Sequence, residues 1–246
     1  MTISFRSLVA ATVLAGTALS AAPAFAQDET GDITVSANVA LTTDYRFRGV
    51  SLSAGDPAIQ GGVDVAHASG FYVGTWASSI EDSDVYGSME LDVYGGWTGA
   101  LTETISADVG LLYYVYPNGH VGDANYFEPY ASLTGAVGPA EVTVGVAYAW
   151  DQKSLGDQDN LYVYSDLGFA IPETPISFSA HLGYTDGVLA PPALAGTADD
   201  SGFDWSVGGS VGFKGLELGV AYVGVEGPSI DGFTDDTVVA TLSASF

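Results

Sequence analysis

The sequence contains no cysteine, and its five lysine and arginine residues face thirty aspartates and glutamates, for a formal net charge of −25. The absence of cysteine excludes a disulfide framework, a thiolate nucleophile and a cysteine-ligated metal. The acidic balance argues against nucleic acid as a partner, because its phosphates would be repelled. The sequence also has no G-x-S-x-G motif, phosphate loop or metal-ligand cluster. It therefore predicts no cofactor, no metal site and no catalytic residues.

Long hydrophobic runs are missing from most of the chain. The first 26 residues hold an apolar run from Leu8 to Leu19, followed by Ala24-Phe25-Ala26, the small-x-small pattern of a signal peptidase site. This run is shorter than the roughly 20 residues that a membrane-spanning helix needs. Residues 1–26 are therefore predicted to be a cleaved secretory signal peptide, and residues 27–32 a short flexible periplasmic segment. The rest of the chain contains no spanning run, although 47% of all residues are hydrophobic.

What the sequence does contain is alternation of apolar and polar residues. From Ile33 to Arg48 the odd positions are mostly apolar and the even positions mostly polar, which is typical of a strand with two unlike faces. Twelve such segments follow one another, near residues 33–48, 58–67, 71–80, 88–97, 104–116, 125–137, 141–150, 160–170, 176–184, 203–213, 216–223 and 237–246.

The connections between these segments alternate in length. Short connections such as "ASG" and "GPA" alternate with longer ones such as "DQKSLGDQD". Outer-membrane barrels show this rhythm because their turns face the periplasm and their loops face outward. Residues 33–246 are thus predicted to form an all-β, transmembrane, antiparallel up-and-down β-barrel of 12 strands, in contact with the lipid and lipopolysaccharide of a Gram-negative outer membrane.

Aromatic residues near the segment ends fit the girdles of such a barrel. On the outward phase they are Tyr45, Phe47, Trp97, Tyr113, Tyr148, Trp150, Trp205 and Phe213. Pro129 falls inside the sixth segment, where it lacks a ladder donor, so a bulge is expected there.

The inward phase is rich in acidic residues. The residues predicted to line the lumen and set its selectivity are Asp44, Arg46, Arg48, Asp64, Glu90, Asp92, Asp108, Glu128 and Asp166. Rings of carboxylates favour cations. The two arginines at the outer end of the first segment are interpreted either as charge neutralisation within the barrel or as part of a selectivity filter. Inward tyrosines are either amphipathic filler of a wet wall or the lining of a sugar path.

Three stretches resemble a known family: "DYRFRGVSLS", "PAIQGGVDVAHASGFYVGTWASS" and "YYVYP". They are similar to the signature stretches of the TorF-type, or Gcw-type, porin family. The resemblance covers roughly the whole chain after residue 26 and is most specific between Asp44 and Ser79. It implies an outer-membrane β-barrel assigned as a porin.

The sequence therefore predicts a porin-like channel for passive diffusion of ions and small hydrophilic solutes, with a preference for cations. Small inward residues such as Gly110 and Gly145 leave room for water. An enzyme is not expected, since the one candidate pairing of a base and nucleophiles is His181 with Ser177 and Ser179. The alternative is a non-conducting structural or surface-interaction barrel, in which loop 185–202 folds inward and closes the pore.

Overall fold

The computed structural model describes residues 31–246 of the chain. The predicted signal peptide, residues 1–26, lies outside the described residues, as does most of the predicted periplasmic segment 27–32. Within the described part no helix has both the length and the hydropathy to cross a membrane.

Alternating side chains produce long antiparallel strands, as predicted. The strands are β1 Ile33–Thr42, β2 Arg46–Phe47, β3 Val50–Ser51, β4 Ala58–His67, β5 Phe71–Ser83, β6 Gly87–Ala100, β7 Ile105–Val115, β8 Tyr126–Val137, β9 Ala140–Gln152, β10 Gln158–Ala170, β11 Ile176–Gly187, β12 Ser201–Phe213, β13 Leu216–Val225 and β14 Thr237–Ser245. Two short helical pieces, a 3₁₀ turn at Lys153–Leu155 and α1 at Pro191–Leu194, lie in the connections.

Twelve of these strands close into one barrel, and β2 and β3 form a separate two-stranded sheet. Each barrel strand pairs with its neighbours in the chain, and β14 pairs with β1 to complete the ring, with Leu41 opposite Leu242. Closure gives both edges of every strand a hydrogen-bonding partner, which a sheet in lipid requires. The predicted twelve-stranded antiparallel barrel is confirmed.

The outer face of the barrel is apolar. The exposed side chains on this face include Val35, Val39, Leu41, Val63, Val73, Val93, Val109, Leu111, Val144, Val163, Leu182, Val207, Leu218 and Val220. Exposed aliphatic side chains in such numbers are incompatible with water but suit the hydrocarbon of a bilayer. The polar residues of the same strands face the lumen.

Aromatic residues border this apolar band. Tyr113 stacks on Phe127 with ring centroids 4.1 Å apart, and Phe127 stacks in turn on Trp150. At the opposite end of the barrel, the indole nitrogen of Trp97 donates to the carbonyl of Ser69 at 3.0 Å. The two belts mark the depths of the membrane interfaces. We call the end with the turns at 68–70 and 138–139 the turn end, and the other the loop end.

Two expectations about the strands are wrong. The first barrel strand ends at Thr42 and not at residue 48, because the chain turns inward there. Tyr45 and Phe47 are therefore buried inside the barrel, whereas the alternation placed them on the lipid face. The connection lengths do not alternate strictly either, since β5 and β6 extend until only residues 84–86 join them.

The bulge expected at Pro129 is absent from the described pairing of β7 with β8. The register continues through Leu111 opposite Pro129 without a shift. The ladder between β8 and β9 begins only at Tyr130, so the missing amide of Pro129 interrupts no bond there. On the loop-end side of Pro129, the side-chain amide of Gln152 takes the place of the ladder bonds. It accepts from the amide of Phe127 at 2.8 Å and donates to the carbonyl of Phe127 at 2.9 Å.

Candidate functional site

Residues 43–57 leave the wall after β1 and fold into the barrel as a hairpin, here called the lumen hairpin. Its two short strands pair Arg46 with Ser51 and Phe47 with Val50. The turn between them consists of Arg48 and Gly49, whose φ angles are 48° and 78°. Positive φ at both central residues is the type I′ geometry that suits a two-residue hairpin. A Cβ at Gly49 would overlap the Val225 side chain, so the turn also requires glycine for space.

The base of the lumen hairpin is held together by Asp44. One carboxylate oxygen, Oδ1, accepts hydrogen bonds from the hydroxyls of Ser51 at 2.5 Å and Ser53 at 3.1 Å. The Ser53 hydroxyl also accepts from the amide of Tyr45 at 2.9 Å. These bonds make residues 43–57 a connected unit.

Arg46 joins this unit to the last outer loop, residues 226–236. Its guanidinium pairs with Asp44 and donates to the backbone carbonyls of Phe233 at 3.2 Å and Asp235 at 2.9 Å. A further bond of 3.1 Å reaches the Asp235 carboxylate. Arg46 is therefore a clamp between two connections at the loop end.

Arg48 extends from the hairpin tip to the far wall. Its Nη2 donates to both carboxylate oxygens of Glu128 on β8 at 2.8 Å. The guanidinium carbon lies 4.1 Å from the ring centroid of Tyr162 on β10 and 4.7 Å from that of Phe47. Because β8 lies far around the barrel from β1, this ion pair spans the lumen.

Aromatic side chains of the hairpin fill the space beneath it. Tyr45 packs edge-on against Trp76 and donates to Glu90 at 2.5 Å, while Phe47 packs against Tyr114. Burial raises the pKa of the Tyr45 hydroxyl, and the neighbouring Glu90 carboxylate raises it further, so Tyr45 remains a donor.

Three carboxylates are buried at this level of the wall. Glu90, Asp92 and Glu128 are 0%, 1% and 1% exposed. Glu90 accepts from Tyr45 and from Tyr116, the latter at 2.9 Å. Within residues 31–246, Oδ1 of Asp92 is buried without a hydrogen-bond partner. Of these three, Glu128 is the one that pairs with the guanidinium crossing the lumen.

The remaining predicted lining residues lie nearer the turn end and are half-buried. Asp64 accepts from Tyr94 at 2.5 Å, and Asp108 accepts from Tyr72 at 2.6 Å. Asp166 lies 2.6 Å from Nδ1 of His181. These contacts leave an acidic, hydroxyl-lined wall below the hairpin.

The candidate base His181 does not pair with a serine. Its Nε2 lies 3.0 Å from Asp204 and 2.8 Å from the hydroxyl of Tyr162, while Nδ1 faces Asp166. The hydroxyl of Ser177 bonds instead to Ser210 across the ladder between β11 and β12 at 2.7 Å. The histidine thus bridges two carboxylates on the lumen wall.

The structure brings the predicted lining residues together in two groups. Those at the loop end are Asp44, Arg46, Arg48, Glu90, Asp92 and Glu128; those nearer the turn end are Asp64, Asp108 and Asp166. Sequence reasoning missed the lumen hairpin and the roles of Tyr162 and Asp235. The signal for the hairpin was the dipeptide Arg48-Gly49 between Phe47 and Val50, which fits a two-residue turn.

Loop 185–202, which closes the pore in the alternative interpretation, contains the connection between β11 and β12. In residues 188–200, Val188 and Leu189 pack against the cluster that contains Tyr45 and Phe47. The amide of Leu189 donates to the Asn160 side chain at 2.9 Å. Both this loop and the lumen hairpin therefore contribute side chains to the buried cluster at the loop end.

Comparison with known proteins agrees with the quoted stretches. The profile of a family described as "Bacterial protein of unknown function (Gcw_chp)" matches residues 26–246. This match confirms the resemblance inferred from residues 44–79. The comparison with curated proteins found no match.

Solved structures similar to this barrel are outer-membrane porins and channels. The NanC porin matches with a TM-score of 0.57 and 11% identity, over 87% of this chain and 99% of that one. The KdgM porin, in complex with disordered oligogalacturonate, gives 0.55 and 9%, over 86% and 97%. The COG4313 outer membrane channel from Pseudomonas putida F1 gives 0.50 and 13%, over 87% and 94%. At these identities the likeness shows the fold.

The location follows from the barrel itself. Its strands close on themselves and its outer face is an apolar band bordered by aromatic residues. Closed antiparallel barrels of this kind span outer membranes. The chain is a transmembrane barrel of a Gram-negative outer membrane.

Proposed function

The chain belongs to the Gcw_chp family of bacterial proteins of unknown function, and we propose that it is a porin-like channel for passive diffusion of ions and small hydrophilic solutes, with a preference for cations. The observation that carries the proposal is the charge of the lumen. Carboxylates on at least six strands face inward, while the two arginines there are already paired with Asp44, Asp235 and Glu128. The other lysine and arginine side chains within residues 31–246, Lys153 and Lys214, lie in connections between strands.

An acidic wall favours cations because each carboxylate lowers the energy of a cation entering the pore and raises that of an anion. The effect is stronger in a narrow lumen than in bulk water, since less solvent screens the charges. The acidic sugar polymer named with the KdgM structure would be repelled by such a wall. The solutes proposed here are small cations and neutral molecules.

The lumen hairpin occupies part of the path. It contacts β6 through Tyr45, β7 through Phe47, and β8 and β10 through Arg48. A solute therefore passes beside the hairpin or moves it. The conductance is expected to be small compared with that of a wide, open barrel.

The first test is the single-channel current of the refolded protein in a planar bilayer under a KCl gradient. Discrete steps with a reversal potential on the potassium side are expected. Steps with a reversal potential on the chloride side would contradict the cation preference and indicate that Arg46 and Arg48 dominate the constriction.

A second candidate function, a non-conducting structural or surface-interaction barrel, is favoured by one observation. The lumen hairpin and its aromatic partners leave Glu90, Asp92 and Glu128 without solvent contact. If correctly folded protein gives no current steps at any voltage, this alternative replaces the channel. Catalysis is not proposed, because the three neighbours of His181 are Asp166, Asp204 and Tyr162 and none is a nucleophilic serine.

A further inference from the structure

We propose that the wall around Arg48 is a binding site for solutes that carry a guanidinium group, and that Arg48 occupies this site as a tethered mimic of the solute. A guanidinium solute from outside then competes with Arg48 and releases the lumen hairpin from the far wall. The inference deepens the proposed function, on which it rests for the path of the solute.

The site is built by the barrel and not by the hairpin. Glu128 of β8 supplies the carboxylate, and Tyr114 of β7 donates to its Oε2 at 3.1 Å, which fixes its orientation. Tyr162 of β10 supplies the aromatic face at 4.1 Å from the guanidinium carbon. These three side chains belong to strands, so they keep their places when residues 43–57 move.

Two contacts of the site suit a cation, and the second suits guanidinium in particular. The carboxylate of Glu128 accepts from one guanidinium nitrogen through both of its oxygens, each at 2.8 Å. The guanidinium carbon lies over the ring of Tyr162, a position that a flat, weakly hydrated cation favours over an ammonium. A neutral molecule of the same shape lacks the charge that Glu128 requires.

The charge of Glu128 requires that the solute replacing Arg48 also be a cation. Glu128 is buried beside Asp92, whose Oδ1 has no hydrogen-bond partner within residues 31–246. If Arg48 leaves, Glu128 keeps the hydroxyl of Tyr114 but remains a buried carboxylate without a cationic partner, which is strongly unfavourable. Release of the hairpin tip therefore requires that another cation take the place of the guanidinium.

Arg48 occupies a turn position that arginine does not favour. The first central position of a type I′ turn suits asparagine, aspartate or glycine, and arginine at φ 48° is conformationally unfavourable there. Lys214 adopts a similar conformation, at φ 50°, so what distinguishes Arg48 is the ion pair that its side chain makes with Glu128. Arg46 meanwhile holds the hairpin to residues 226–236 through Phe233 and Asp235, so the tip can leave the far wall while the base remains attached.

The test uses the absence of native cysteine. Val50, which is 1% exposed next to the hairpin tip, is changed to cysteine in the full barrel reconstituted in vesicles, and its rate of reaction with a membrane-impermeant maleimide is measured. Methylguanidinium is added at millimolar concentrations, and methylurea serves as its neutral counterpart. Methylguanidinium is expected to raise the labelling rate by about tenfold, within the range usual for ligand-coupled equilibria, and methylurea to leave it unchanged.

Three variants make the result specific. In V50C/E128Q the site lacks the carboxylate that pairs with Arg48, so labelling is expected to be fast and independent of either solute; V50C/R48Q gives the same readout if the first variant does not fold. In V50C/K214Q, which removes a basic residue from the turn between β12 and β13, the response should equal that of V50C. In A190C, labelling should stay slow with both solutes, which separates site binding from a general loosening of the loop end.

Equal labelling with methylguanidinium and methylurea, or a methylguanidinium response that persists in V50C/E128Q, would overturn the inference. The outcome is independent of conduction. If methylguanidinium exposes residue 50 but no current flows under any condition, the guanidinium site stands and the channel fails. If current flows but labelling ignores methylguanidinium, the channel stands and the site fails.

Discussion

The two arginines of the lumen hairpin stand two positions apart and have different roles. Arg46 makes its bonds at the loop end, with Asp44, Phe233 and Asp235. Arg48 reaches the opposite wall and meets Glu128. Sequence reasoning could foresee that two arginines in so acidic a lumen meet carboxylates. It could not identify the partners, because these come from connections and strands distant in the chain.

Loss of the Arg46 guanidinium is expected to destabilise the protein. In Arg46→Gln the buried Asp44 carboxylate loses its charged partner, and breaking a buried pair costs about 3–5 kcal/mol. The free energy of unfolding of the vesicle-bound barrel in urea measures the effect. Lys214→Gln, an exposed charge over the Phe213 ring, is the matched control and should change stability by no more than about 0.5 kcal/mol. Equal values for the two variants would mean that the clamp contributes nothing.

At the scale of elements, alternation located every barrel strand but could not tell where the first one stops. Tyr45 and Phe47 alternate with polar residues whether the chain continues along the wall or folds inward, so period two alone cannot tell the lipid face from the lumen. The turn at Arg48 and Gly49 decides the matter, because both residues adopt positive φ. If the two-residue turn at Arg48 and Gly49 had been recognised in the sequence, the predicted first strand would have ended before the turn and not at residue 48.

Arg48→Asn tests the hairpin as an element. Asparagine followed by glycine is the preferred type I′ pair, so the hairpin should form at least as well as in the wild type. Its tip, however, no longer holds Glu128. The mean conductance in KCl is therefore expected to rise, and Arg48→Lys, which keeps the charge but not the planar fork, should lie between the two. A conductance in Arg48→Asn equal to that of the wild type would show that the ion pair does not restrict the path.

At the scale of the whole molecule, the sequence pattern predicts the barrel wall but not the contacts inside it. Strand number, pairing order and closure follow from local periods and turn positions, which each segment carries by itself. The interior depends on which side chains meet across the lumen. Tyr72, for example, bonds both Asp108 and Tyr130, residues on two other strands, and no local pattern specifies such a contact.

The balance of charge in the lumen leads to a prediction for the complete barrel. Asp64→Asn/Asp108→Asn removes two half-buried carboxylates from the wall near the turn end, where no described arginine or lysine faces them. Each asparagine keeps an acceptor for its tyrosine partner, so the barrel should fold normally. The reversal potential in a KCl gradient is expected to move toward zero, because the wall then attracts potassium less.

The matched control takes the same number of charges from the outer loops. Asp199→Asn/Asp231→Asn alters exposed carboxylates in water, where charges further apart than about 8–10 Å are screened at ordinary ionic strength. The reversal potential of this variant should equal that of the wild type. If instead the loop variant shifts the potential and the lumen variant does not, selectivity is set by the outer vestibule, because only charges close to the path of the ion act on it with little screening.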